Sequence, residues 1–134
     1  MTTHMAQHTI RFREQLPSGC PPQDANSPNG LTVYRLVASN PARSCDFDSH
    51  KTMGFPVPGG TTECQSVSCS VFDSLKRLDE MMTLPKPRAR YHFAVNLVLN
   101  SNSGVVKGGK KGHYDWWICS GFIPEKHSEI VKAY

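Results

Sequence analysis

His113-Tyr114-Asp115-Trp116-Trp117-Ile118-Cys119-Ser120-Gly121-Phe122-Ile123-Pro124 holds both tryptophans of the chain and closes a basic, glycine-rich turn. Tryptophan is a large side chain that belongs in a core, so a Trp-Trp pair marks where a small domain closes on itself or on a ligand. Successive side chains of a strand point to opposite faces. If His113 to Cys119 is a strand, one ring therefore sits in the core and the other on the second surface of the sheet.

Working outward, Tyr91 to Leu99 (YHFAVNLVL) alternates in the same way, with Tyr91, Phe93, Val95, Leu97 and Leu99 on one face. Asn100 to Gly104 reads as a turn, and Val105-Val106 as the start of a partner strand before the loop Lys107 to Gly112. Leu31 to Ala38 (LTVYRLVA) is a strand by its β-branched and aromatic content. Arg35 lies on its Leu31, Val33, Val37 face. It is either an arginine lying over the sheet with its head in water, or a guanidinium held for an anion.

A helix is expected from Ser70 to Leu84. Ser70 and Asp73 have capping-box spacing, Val71, Leu75, Leu78 and Met82 form one stripe, Lys76 and Glu80 can pair, and Pro85 ends the run. Thr9 to Leu16 is a short strand or a helical turn, and Glu125 to Tyr134 a short helix or a last strand centred on Ile130 and Val131. Residues 15–30 and 39–62 are loop-rich, and the second of these is long enough to be a binding loop or lid. The expected fold is a single α+β domain over 1–134. It has a mainly antiparallel twisted sheet with one principal helix (about 70–84) packed on it.

A chain of 134 residues can bury a core without staples. No apolar run reaches the ~18–20 residues that span a bilayer, and Met1 to Gln15 lacks an export-type apolar segment, so a cytoplasmic protein without membrane contact is expected. Five cysteines, an odd number, then imply reduced thiols rather than a disulfide framework. Net charge is +4, and Thr83 to His113 carries six Lys or Arg and no Asp or Glu. That local basic field bears on partners.

Several constellations could carry chemistry. Cys45 with His50 and Cys64 with Cys69 form two pairs with zinc-compatible spacing, although unligated thiols are the expected state. Five thiols and six imidazoles allow cysteine–histidine catalysis, yet none carries a nucleophile signature. The loop Lys107 to Gly112 is not a Walker sequence, but Lys110 and Lys111 could meet phosphate as point charges. With Lys86, Arg88 and Arg90 they could make a nucleic-acid patch, with Tyr91 or Trp117 as stacking faces and His113 beside them.

Tyr34-Arg35 on an early strand, Ser66, Ser68 and Ser70 ahead of a helix, and the late Glu129 form a last set. In that order they loosely resemble the small NAD-consuming domains of the ADP-ribosyltransferase class. The resemblance implies that Arg35 holds the cofactor's phosphate or ribose, that Ser66 or Ser68 orients the ribose, and that Glu129 grips its hydroxyl as the glycosidic bond breaks. The function expected on this basis is a small cytoplasmic enzyme acting on a nucleotide-type ligand, with NAD as cofactor, by ADP-ribosyl transfer or NAD hydrolysis. The competing functions are a non-catalytic module binding nucleic acid or protein through the basic hairpin 86–113, and a zinc-stabilised interaction domain.

Overall fold

A computed structural model describes residues 10–134. The reading of the first nine residues, and with it part of the Thr9 to Leu16 segment, lies outside them. The fold is one antiparallel sheet of six strands in the order β4-β5-β2-β1-β3-β6. The strands are β1 (Leu31–Val37), β2 (Cys69–Phe72), β3 (Phe93–Leu99), β4 (Gly104–Gly108), β5 (His113–Ile118) and β6 (Glu129–Ala133). Helices are short: α1 (His50–Met53), α2 (Glu63–Ser66), α3 (Leu75–Met81) and α4 (Pro85–Arg90).

Alternation along the strands sorts the side chains onto two faces. On one face Val33, Val37, Val71, Val95, Leu97, Leu99, Val106 and Trp116 close around Phe47. On the other, Leu36, Phe72, Leu78 and Ala94 pack with Tyr34 and Tyr91 beneath α3. Trp116 and Trp117 point to opposite faces as expected, but both are fully buried. Trp116 Nε1 donates to Ser103 O at 3.1 Å and Trp117 Nε1 to Cys64 O at 3.1 Å. The second ring is therefore covered by α2 rather than left open.

The expected helix from Ser70 is corrected by the structure. Cys69–Phe72 is a strand set between β1 and β5, paired with β5 as Cys69↔Trp116, Ser70↔Asp115, Val71↔Tyr114 and Phe72↔His113. A Cys-Ser-Val-Phe run can bury both faces in a central strand, and those ladder bonds and cross-strand contacts outweigh one helical stripe. The helix begins after Ser74, whose Oγ accepts from Arg77 N. Glu80 pairs with Arg77 at 3.0 Å instead of with Lys76. Pro85 opens α4 rather than closing the chain into loop, since proline suits a first helical position.

The thiol expectation is also corrected. Cys20 and Cys64 form a disulfide with S–S 2.05 Å, tying the loop at 15–30 to α2. Cys45, Cys69 and Cys119 remain free. Sequence could not single out this pair, because five cysteines allow many pairings and only the fold brings two into range. No helix among the described residues is long and apolar enough to cross a membrane.

Candidate functional site

β2 and β5 lie side by side, so a block of polar side chains forms on the open face: Ser70 from β2, Ser68 from the turn just ahead of it, and His113 and Asp115 from β5. Ser70 Oγ stands 2.6 Å from His113 Nε2. The Ser68 hydroxyl lies 2.8 Å from Gln65 O and 3.2 Å from Asp115 Oδ1, and its single proton serves one at a time. Asp115 Oδ1 is 3.8 Å from His113 Nε2. A proton taken up at that nitrogen would therefore face a carboxylate.

These four residues line a cavity of about 180 Å³, walled on its outer side by His50, Pro58, Thr61, Gln65 and Ser66. From the loop at 39–62, His50, Val57, Pro58 and Thr61 line this cavity. Burial, only partly opposed by Asp115 and reinforced by Arg77, holds the His113 imidazole below its ordinary pKa. Burial, then Arg35, then Arg90, does the same for His50. Both shifts favour the neutral ring, and in the tautomer that leaves Nε2 unprotonated His113 can accept a hydrogen bond from the Ser70 hydroxyl. A hydroxyl against a neutral imidazole can activate an oxygen nucleophile or take a proton from one.

The glycine at 112 belongs to this geometry. Its φ is +76°, and a Cβ there would collide with the Asp73 carboxylate. The turn into His113 therefore has to be made by glycine.

Two further cavities continue the site along the sheet. One, of about 320 Å³, shares Gln65 and Asp115 with the first and is lined by Pro22, Lys107 and Trp117. The other, of about 110 Å³, shares His50 and Ser70 with it and is lined by Arg35, Phe72, Arg90 and Tyr91. Together they give a groove with an apolar indole end, a hydroxyl–imidazole–carboxylate centre and a cationic end.

Arg35 is buried, and its Nε, Nη1 and Nη2 donate to Asp46 O, Ser70 O and Asp48 O at 2.8, 2.6 and 3.0 Å. β1 and β2 register at Tyr34↔Phe72, and the guanidinium stands where the two strands part. Of the two alternatives weighed for Arg35, water-facing is excluded. Its bond to Ser70 O fixes the β2 backbone at the residue whose hydroxyl meets His113.

The other expected site residues are divided. Ser66 and Ser68 line the central cavity, His113 is at its heart, and Trp117 lines the adjoining one. Tyr34 packs in the core beneath α3. Glu129 is exposed on β6 opposite Asn96, with β1 and β3 between it and β2. At ~4.8 Å per strand that is roughly 14 Å from the serines. The early arginine, the serines and the late glutamate therefore do not meet in one pocket, and the carboxylate beside the serines is Asp115.

Lys110 and Lys111 are exposed at the β4–β5 turn, whereas Lys107 is paired with Asp24 at 3.1 Å. The four zinc candidates are not brought together. Cys64 is in the disulfide and Cys69 is in the core, where burial pushes its thiol pKa up. Among the described residues no group of three or more His, Cys, Asp or Glu is placed to hold a metal ion.

Sequence reading groups Ser70 with Ser66 and Ser68 but gives it no chemical role of its own, and it does not place Asp115 and His50 beside them. The signal was the alternation of His113 and Asp115 on one face, but their partner strand had been read as helix. The chain matches no protein-family model, no curated protein and no solved structure, so the site speaks through its own residues.

Proposed function

We propose that the chain is a small enzyme acting on a nucleotide-type ligand, with NAD the ligand to test first and cleavage of its nicotinamide–ribose bond the reaction. The observation that carries this is the 2.6 Å contact of Ser70 Oγ with His113 Nε2 in a cavity that also holds Asp115. The larger cavity, walled by Gly19, Pro22 and Cys64 with the buried Trp117 behind them, offers a largely apolar surface for a base, and the arginine end suits phosphate.

In hydrolysis a water oxygen bonds to the ribose carbon, nicotinamide leaves with the electron pair of the broken C–N bond, and the water proton passes to His113 Nε2. Transfer to an acceptor follows the same course with the acceptor's nucleophile in place of water. Asp115 supplies negative charge where the ribose becomes positive, then faces the imidazolium. In this reading Asp115 takes the part that the family resemblance gives to Glu129, while Ser68 and Ser70 orient the ribose and the nucleophile. Arg35 holds Ser70 in place.

The test is nicotinamide release from NAD, with an assay for labelled protein or nucleic acid alongside. Release by the wild type should fall at least ~100-fold in Ser70→Ala, His113→Gln and Asp115→Asn. No release and no label from the wild type removes this reading.

A second function is supported by Lys110 and Lys111, which stand exposed and free of acidic partners among the described residues. It is a nucleic-acid-binding module that uses the basic hairpin. Changing Lys107, Lys110 and Lys111 together to Ala should weaken single-strand binding and flatten its salt dependence. No effect of the triple change discards it. The cytoplasmic setting remains part of the proposal, and the Cys20–Cys64 bond sets an oxidising compartment against it. The redox state of this pair in cell extract decides between them.

A further inference from the structure

The small cavity beside the hydroxyl–imidazole pair gathers two guanidiniums that no ion pair among the described residues neutralises. Arg35 is 7% exposed and gives one hydrogen from each of its three nitrogens to a backbone carbonyl. Each terminal nitrogen keeps one more hydrogen, and carbonyls cancel no net charge. The carboxylates next to it in sequence are engaged elsewhere: Asp46 accepts from Ala38 N and Arg43 N, and Asp48 pairs with Arg13 at 2.6 Å. The Arg90 guanidinium carbon stands over the Phe55 ring at 3.8 Å from its centroid, and no carboxylate among the described residues pairs with it.

His50 lines the same cavity as the two guanidiniums and is shared with the neighbouring cavity at Ser70 and His113; burial, then Arg35, then Arg90, holds its pKa down. Apart from Ser70 and Tyr91, the remaining walls are apolar, among them Leu36, Phe72 and Leu78. In such surroundings cationic donors act more strongly than in water, and a guanidinium fork matches phosphate oxygens in pairs.

We propose that Arg35, His50 and Arg90 form an anion subsite that takes a phosphate group of the ligand whose reacting bond lies at Ser70 and His113. The cavity of about 110 Å³ admits a phosphate group but not a nucleoside. The subsite therefore orients the ligand, with phosphate at the arginines, sugar at the serines and base toward Trp117. This deepens the proposed function and rests on it for the identity of the reacting end.

The test separates the two. Binding of ADP, inorganic pyrophosphate and adenosine is measured by calorimetry on the Ser70→Ala chain, which cannot turn over. ADP and pyrophosphate should bind, and adenosine at least tenfold more weakly than ADP. Arg90→Gln, which keeps a flat stem over Phe55, should weaken ADP at least tenfold and leave adenosine unchanged. Arg90→Lys should recover part of the loss, and unchanged thermal melting shows that both variants fold. Equal binding of ADP and adenosine, or an Arg90→Gln chain that binds ADP as well as its parent, overturns the subsite even if the wild type cleaves NAD. Pyrophosphate binding as tight as that of ADP supports the subsite and assigns it to phosphate alone. Phosphate binding that is lost in Arg90→Gln supports the subsite even where the wild type releases no nicotinamide.

Discussion

The two faces of the sheet are made from the same strands and end with opposite contents. On the Trp116 face, Val33, Val37, Val71, Val95, Leu97 and Leu99 close around Phe47 into one buried apolar cluster. On the Trp117 face, Leu36, Phe72 and Leu78 fill only one half, and the other half is a chain of cavities around Ser70, His113 and Asp115. Within β5 alone, Tyr114 and Trp116 go to the closed face while His113 and Asp115 go to the open one. A closed core on one side lets the other side hold groups that burial would otherwise penalise, because the site does not have to supply the stability.

The largest effect should come from the closed face. Trp116→Ala should destabilise the protein by ~3–5 kcal/mol, read from denaturant midpoints. Trp117→Ala, beside a cavity, should cost less and should disturb ligand binding more. Equal losses with no change in binding would erase the contrast between the faces.

Next is the disulfide, which staples the open face only. It closes a sequence separation of 44, so reduction or Cys20→Ser with Cys64→Ser should cost ~2–4 kcal/mol. Because Gln65 and Ser66 on the attached helix wall the cavity, ligand affinity should fall with it. Affinity unchanged by dithiothreitol would show that α2 holds its place without the staple.

A smaller effect is expected from pH. His50 and His113 are held below their ordinary value of 6.5, so the unfolded chain binds protons that the folded one refuses. Their contribution is complete above about 6.5 and is lost as pH falls from there through the folded values. Thermal melts should therefore drop on acidification below about 6.5, and the His50→Gln, His113→Gln double change should flatten that slope. Turnover should follow the same acid limb, since protonated His113 cannot accept a proton. An acid limb that survives the double change would place the titration elsewhere.

The smallest effect should be at Glu129, exposed on the edge strand. Glu129→Gln should change stability by under ~0.5 kcal/mol, and should leave NAD cleavage unchanged while Asp115→Asn abolishes it. The reverse result would return the catalytic carboxylate to the edge of the sheet.

Much of the sheet was legible because alternation is a local signal. Strands Leu31–Val37, Phe93–Leu99, Gly104–Gly108 and His113–Ile118 fall on stretches read as strands, and of the two readings of Glu125 to Tyr134, helix or strand, the strand forms, as Glu129–Ala133. The one major miss, β2, was short and held residues that also satisfy a helical spacing. Its identity was set by neighbours that are distant in sequence, above all β5. The site followed the same division. Ser66, Ser68, His113 and Trp117 were picked out as polar or aromatic residues on the right elements, but Ser70 was assigned to a helix cap and Asp115 passed unnoticed.

By itself, then, the sequence determined an α+β chain, most of its strands, and the opposite facing of Trp116 and Trp117. Each of these follows from backbone geometry acting over a few residues. The tertiary structure alone decided that Ser70 meets His113 across 43 residues of chain and that Cys20 finds Cys64 across 44. It alone also decided that Arg35 turns its guanidinium onto three carbonyls and that Glu129 stays at the edge. Those outcomes depend on strand order, and strand order is chosen by the ladder bonds and burial of the whole sheet rather than by any stretch of sequence that forms it.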